Sequence, residues 1–365
     1  MKVLFVSLMR IGDFLMHVKI ADSYRKKHTE VEIHFLVNDI IGVEFEKIFP
    51  FIFFHRFPRF KYQKMINSFE TPLMYPFWDL KKNIKALFAC GYDEIIDLTY
   101  QQISTQFLNM IPAPRKRGVF SWEPFITSDN YIKKFINKMH EPTSKVHYLE
   151  HLKKIAGVDL ELYSSSGDKT SKLVLFQIST SDAKKNYDLV KWKRIIDKLS
   201  DQFSDYCFKI ICSHEEFLAY KTFFNVSQLE SGDFLNAYEL LKQASLLVTL
   251  DTALKHLATW TKTSTLELSI GSSHPFKTAA FQAGNYILSA EMNCRPCQHS
   301  LDCPYNRNFC QDSIAENKIV NFVSEWIQNQ TVSEFSFRTL NQGSRFRMEA
   351  NCNLSRGEEW NEISM

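Results

Sequence analysis

Along the chain, short apolar runs alternate with segments whose apolar residues recur at helical spacing. Residues 3–8 are an apolar run and 14–27 carry a helical period, so a buried strand and a covering helix are predicted. Residues 31–37 read as a strand, 39–48 as a helix, 78–90 as a helix and 92–98 as a short strand. The stretch 51–64 breaks the rhythm. It mixes Phe with Pro58, His55, Arg56, Arg59, Lys61 and Lys64, which predicts a long surface loop. Residues 161–171 are polar and Ser-rich, as in a linker. Beyond them the alternation restarts, with strands over 173–178, 208–212, 246–250 and 265–270 and helices over 190–203, 215–224, 237–243, 253–261 and 314–328.

Alternation of this kind builds parallel sheets covered on both faces, with right-handed crossovers. The predicted fold class is α/β, with two Rossmann-like doubly wound domains, 1–165 and 172–330, facing a cleft. From 333 to 365 the chain is polar and aperiodic, so this tail is expected to be disordered.

Composition changes this picture little. The 365 residues suit about two domains, and 45% hydrophobic with 23% charged residues is ordinary for packed cores. The 31 Phe are read as core filling. A net charge of +3 is too mild to make nucleic acid the main partner. The first apolar run is interrupted by Arg10 and Asp13 with no small-residue cleavage site after it, and no window supplies a spanning helix, so a cytoplasmic protein is expected. Four of the eight cysteines fall within 294–310, as Cys294, Cys297, Cys303 and Cys310. That crowding suits a local thiolate site for structural zinc or iron, or a reduced metal-free loop; both readings stay open.

Candidate chemistry gathers where predicted strands end and helices begin, the place where open α/β sheets bind ligands. Gly12-Asp13 follows the first strand, and Asp13 is either a helix cap or a reactive carboxylate. Thr180 and the two lysines of 179–187 follow the first strand of the second half, where a pyrophosphate could be neutralised. Residues 213–216 place acidic side chains at the next strand end, suited to ribose hydroxyls or to the helix N-terminus. Asp251-Thr252 ends another strand, and His256 lies one turn beyond Thr252 on the same helical face. A helix opening there favours an anion.

Six segments in order resemble glycosyltransferase family 9, the ADP-heptose:lipopolysaccharide heptosyltransferases. Its opening strand with Ile-Gly-Asp appears at 11–13, and its Tyr-Asp-x-hydrophobic-Ile-Asp-Leu strand at 92–98. Its Ala-Lys-Arg-Trp segment resembles 183–187 with Trp192, placing Lys185 at the family lysine and Lys184 one register away. Its Gly-x-Pro-x-Glu segment is similar to 212–216, with Glu215 at the family acid. Its Asn-Asp-Thr-Gly-x-x-His-Leu-Ala hallmark appears at 250–258 and its following loop at 270–275. The sequence departs at Ala253, which stands at the family Gly; a backbone needing positive φ would be strained there.

The resemblance implies a GT-B fold and an inverting transfer that needs no cofactor for its chemistry. Asp13 would be the general base on the acceptor hydroxyl, with Gly12 beside it. Lys185, Thr180, Thr252, Ala253 and the helix amides would hold the diphosphate of ADP-heptose, Glu215 the ribose, and Asp251 and His256 would flank them. Arg56, Arg59, Lys64 and Arg117 would grip an anionic acceptor such as a lipopolysaccharide core or related bacterial surface glycan, and could touch the cytoplasmic face of the inner membrane. Similar Cys-rich loops occur in many family members, and a related group of autotransporter heptosyltransferases binds iron with such cysteines. Open alternatives are another nucleotide sugar, a protein acceptor, and a silent homologue that binds nucleotide or glycan without turnover.

Overall fold

The structure is a computed structural model, describing residues 1–67, 85, 87, 89–99, 101, 104–105, 109–122, 125–128, 146–161, 170–297, 302–303, 305, 308–329 and 345–347. The chain divides into two compact units. One holds Met1–Glu141 and Tyr148–Glu161, the other Pro142–His147 and Leu162–Met365. The helix expected over 78–90 falls mostly outside the described residues.

The first unit is built on a parallel sheet of β1 (Lys2–Ser7), β2 (Glu32–Asn38), β3 (Ile52–Phe57), β4 (Glu94–Asp97) and β5 (Arg115–Arg117), in the order β3-β2-β1-β4-β5. A separate antiparallel pair, β6 (Val119–Trp122) and β7 (Phe125–Ser128), follows. The near-continuous apolar β1 is buried on both faces, as a central parallel strand must be. On one face, helix Ile11–Lys27 presents Phe14 to Phe35 and Phe45, with ring centroids 5.7 and 5.4 Å apart, while Phe5 stacks on Phe35 at 5.3 Å. On the other, Leu4, Val6, Leu36, Phe57 and Tyr62 pack together. Much of the unusual Phe content is therefore core.

The loop expected over 51–64 is instead the edge strand β3 followed by helix Arg59–Asn67. An edge strand is only half covered, so its mixed composition hid it: Phe53 is exposed while Ile52 and Phe57 are buried. Pro58 punctuates strand and helix, its carbonyl accepting the Tyr62 N–H. The helix expected over 39–48 shrinks to Glu44–Ile48, because the Arg56 guanidinium takes the carbonyls of Ile41 and Gly42.

The second unit carries β8 (Leu173–Gln177), β9 (Cys207–Cys212), β10 (Leu229–Ser231), β11 (Leu246–Leu250), β12 (Ser264–Ser269), β13 (Asn285–Ser289) and β14 (Arg345–Arg347), in the order β10-β9-β8-β11-β12-β13-β14. All pairs are parallel except β13 with β14. β14 comes from the stretch expected to be disordered; the rest of 333–365 lies outside the described residues. Helices Leu189–Gln202 and Glu316–Asn329 cover one face, with Trp192 packed edge-on against Phe176 and Tyr187. Among the described residues no helix is long and apolar enough to cross a membrane.

Candidate functional site

Each sheet reverses its winding beside its first strand, between β1 and β4 in the first unit and between β8 and β11 in the second. At such a switch point the loops leaving the two strands diverge and open a crevice at their carboxyl ends. The residues singled out in the sequence fall largely on those loops.

In the second unit a cavity of about 330 Å³ opens over β8, β9 and β11. Its polar wall includes Ser179, Thr180, Ser213, Glu216 and Thr252, and Phe234, Ala237 and Leu254 form an apolar side. Thr252 is the N-cap of helix Ala253–Thr261 in extended conformation, and its side chain makes no capping bond. The amides of that first turn are thus free of a side-chain cap, with the positive helix end behind them. Glu216 Oε2 accepts the Ser213 amide at 2.7 Å, and Oε1 accepts the Ser179 hydroxyl. It is this acid that lines the cavity. Glu215, the register the family spacing favoured, is exposed and absent from the lining.

Thr180 is folded into its own loop, its amide bonded to Asn186 Oδ1 at 2.7 Å and its hydroxyl to the Asp182 carbonyl at 2.8 Å. Lys185 closes a short 3₁₀ turn, Ala183–Lys185, and crosses the switch point to Asp251, Nζ to Oδ2 at 2.8 Å. The other Asp251 oxygen, Oδ1, meets Lys255 Nζ at 2.5 Å. Lys255 in turn faces Glu267 on β12 at 3.1 Å. Burial would push the Asp251 carboxyl up, but the two ammonium groups outweigh it and hold it well below the usual carboxylate range. Burial would likewise lower Lys255, yet Asp251 and Glu267 raise it. His256 is buried and pushed well below its ordinary value by desolvation and by Lys255, so it is a neutral imidazole near pH 7.

Ala253 is the first residue of its helix, and the described non-glycine residues with positive φ are Glu30 and Lys262. The strain expected at 253 is therefore not found; the chain enters this helix without a left-handed residue.

In the first unit Asp13 stands in the first turn of helix Ile11–Lys27, after Gly12, half-buried, its Oδ2 accepting the Arg10 amide at 3.3 Å. It thus makes a cap contact and is still partly open. Arg59, whose guanidinium donates to the Leu8 carbonyl, and buried Tyr148 both feel its charge. One helical turn on, buried His17 bonds Ser7 Oγ at 2.7 Å and Tyr148 Oη at 3.3 Å. Asp97, at the end of β4, accepts from the Thr99 amide and the Ser104 hydroxyl.

The other expected acceptor cations are dispersed. Arg56 is engaged with Glu46 and the 41–42 carbonyls, and Lys64 is exposed on helix Arg59–Asn67. Arg117 is paired with Glu94 at 2.5 Å, at the amino end of β4 and away from the end that carries Asp13. Arg59 is the one of the four drawn towards Asp13.

Cys294, Cys297, Cys303 and Cys310 are free thiols. Among the described residues no group of three or more His, Cys, Asp or Glu side chains is arranged to hold a metal ion. Burial pushes the Cys297 and Cys310 thiols up, and the neighbouring thiols, Cys294 and Cys303 among them, add to this. Arg295 reaches Ser289, Ser269 and the carbonyls of Gly271, Ser273 and Ala290, and the Cys297 amide bonds the Gly271 carbonyl.

Sequence reasoning missed Lys255 and Glu267. Their signal was the four-residue spacing of Asp251 and Lys255 across a helix start, but the Glu267 partner comes from a neighbouring strand.

A family model described as glycosyltransferase family 9 (heptosyltransferase) matches residues 80–306. No curated protein matches the sequence significantly. Among solved structures, E. coli heptosyltransferase WaaC with ADP aligns with TM-score 0.62 and 17% identity, over 89% of this chain and 99% of that one. A glycosyl transferase family 9 structure from Veillonella parvula aligns with TM-score 0.63 and 14% identity, over 90% and 97%. The iron-containing dodecameric glycosyltransferase TibC from enterotoxigenic E. coli aligns with TM-score 0.51 and 15% identity, over 91% and 80%.

Proposed function

The chain belongs to glycosyltransferase family 9, the heptosyltransferases, has the GT-B fold and is a glycosyltransferase; from this we propose that it transfers heptose from ADP-heptose to a lipopolysaccharide core or related bacterial surface glycan. The observation that carries the donor side is the cavity over β8, β9 and β11, where an uncapped helix start, hydroxyls and an acid converge, with Lys185 paired to Asp251, the residue before Thr252 of the lining. Those groups match a nucleoside diphosphate. Glu216 accepts ribose hydroxyls, and Thr252, the helix amides and Lys185 take the diphosphate charge that grows as the glycosidic bond breaks. Solved relatives described as WaaC with ADP and with an ADP-2-deoxy-2-fluoro heptose support adenine and heptose as the donor's parts.

On the acceptor side Asp13 is the general base. It removes the proton from the attacking hydroxyl, which displaces the nucleoside diphosphate in line and inverts the anomeric centre. Arg59 beside it supplies a cation for an anionic acceptor. A thermal-shift panel of ADP, UDP and GDP tests the donor assignment, because a ligand of the folded state raises its melting temperature. ADP should give the largest rise. A larger rise with UDP or GDP assigns a different nucleotide sugar, and no rise with any of them removes the donor site.

A further inference from the structure

Lys255 is a lysine without access to water: its side chain is 0% exposed, in the first turn of helix Ala253–Thr261, between Asp251 and Glu267. Burying an ammonium carries a large desolvation cost, so its position calls for a reason. The reason lies in how Asp251 is shared. Its Oδ2 holds Lys185, which is 12% exposed and sits on a short loop turn; its Oδ1 holds Lys255, fixed within helix Ala253–Thr261. One counter-ion is on a partly exposed loop turn and the other is wholly buried in the helix.

If Lys185 were the only partner of Asp251, moving it onto a diphosphate would leave a buried carboxylate uncompensated, which is strongly unfavourable. With Lys255 in place the carboxylate keeps an ammonium at 2.5 Å whatever Lys185 does. Glu267 is positioned to keep Lys255 from swinging away: it faces the ammonium through Oε2 at 3.1 Å, and its Oε1 accepts the Ser273 hydroxyl at 3.2 Å. Ser273 is bonded to Ser269, which Arg295 holds at 2.9 Å, so the anchor runs back into the Cys-rich loop.

We propose that Lys255 is a positioning residue for donor binding, the fixed counter-ion that lets Asp251 release Lys185 to the diphosphate. This rests on reading the β8/β11 cavity as the donor site.

The test is calorimetric titration of ADP into the full chain. Lys255→Met with Glu267→Gln removes the buried pair without leaving a lone charge. It should weaken ADP binding by about tenfold or more, within the usual range of coupling between linked groups, because Lys185 is then Asp251's sole partner. In an Asp251→Asn background the same two substitutions should change ADP affinity by less than about twofold, since nothing then retains Lys185. Glu267→Gln alone should weaken ADP binding by less than the pair of substitutions does, because Lys255 still meets Asp251 at 2.5 Å.

Equal weakening in both backgrounds, or none in either, overturns the proposal, as does a loss from Glu267→Gln as large as that of the pair. Should the double variant not fold, lysine-labelled NMR of the wild type decides. ADP should move the Lys185 side-chain signal and leave Lys255 in place; an unmoved Lys185 in an ADP-saturated protein overturns the proposal. A wild type that binds none of ADP, UDP and GDP overturns the donor-site reading itself, a result distinct from binding without the coupling.

Discussion

Lys185, Glu216 and Asp13 are single side chains on which distinct quantities should turn. Lys185→Gln removes a charge-assisted contact to the diphosphate and should weaken ADP binding by roughly ten- to a hundredfold in calorimetry, the usual worth of such a bond. Glu216→Ala should weaken ADP binding as well, while Glu215→Ala should leave it within about twofold, as expected of an exposed surface position. That contrast shows where sequence reading stops. Asp251 and Thr252 stood out because they directly follow a buried apolar run, and Asp13 because it opens the helical pattern after one. The choice between Glu215 and Glu216 was not, because neighbours in a helix point about 100° apart and only the packed backbone says which faces the cavity. Lys255 was hidden for a related reason: its role depends on Glu267, twelve residues downstream in an adjacent strand.

At the scale of elements, β1, helix Ile11–Lys27 and helix Tyr148–Ala156 are tied through Ser7, His17 and Tyr148. Burial pushes His17 down to about 3 from its ordinary 6.5. Between those values the unfolded chain binds a proton that the folded chain refuses. Stability is therefore full above pH 6.5 and falls as the pH drops towards 3, by up to roughly 1.4 kcal/mol per pH unit for one such group. Denaturant melts across this window should show the decline, and His17→Gln should flatten it. On the same helix, Phe14→Ala should cost about 3–5 kcal/mol in the same melts, because Phe14 is fully buried among Phe35, Phe45 and Phe49. The central strands were readable from their apolar runs. β3 was not, since an edge strand carries the polar residues of a loop, and β10 and β14, with three residues each, are too short for a period to register.

At the scale of the whole chain, both units repeat one plan: a doubly wound sheet with candidate site residues beside the switch point. That plan was visible in the alternation of strand and helix, and the family resemblance narrowed it to a glycosyltransferase. The four cysteines were the exception. Their spacing left a metal site and a reduced loop equally open, because spacing does not fix where thiols point; what the structure adds is that Arg295 anchors this loop. If donor binding belongs to the second unit, ADP should slow hydrogen exchange in 178–187, 212–216 and 251–256 and leave β2 and β3 unchanged.

The most direct test of the account is ADP release from ADP-heptose in the presence of a lipopolysaccharide-core acceptor, measured for the wild type and for Asp13→Asn. Loss of a general base should lower turnover by about a hundred- to ten-thousandfold with ADP affinity unchanged. Turnover by Asp13→Asn at the wild-type rate would contradict the assignment of Asp13 as the base.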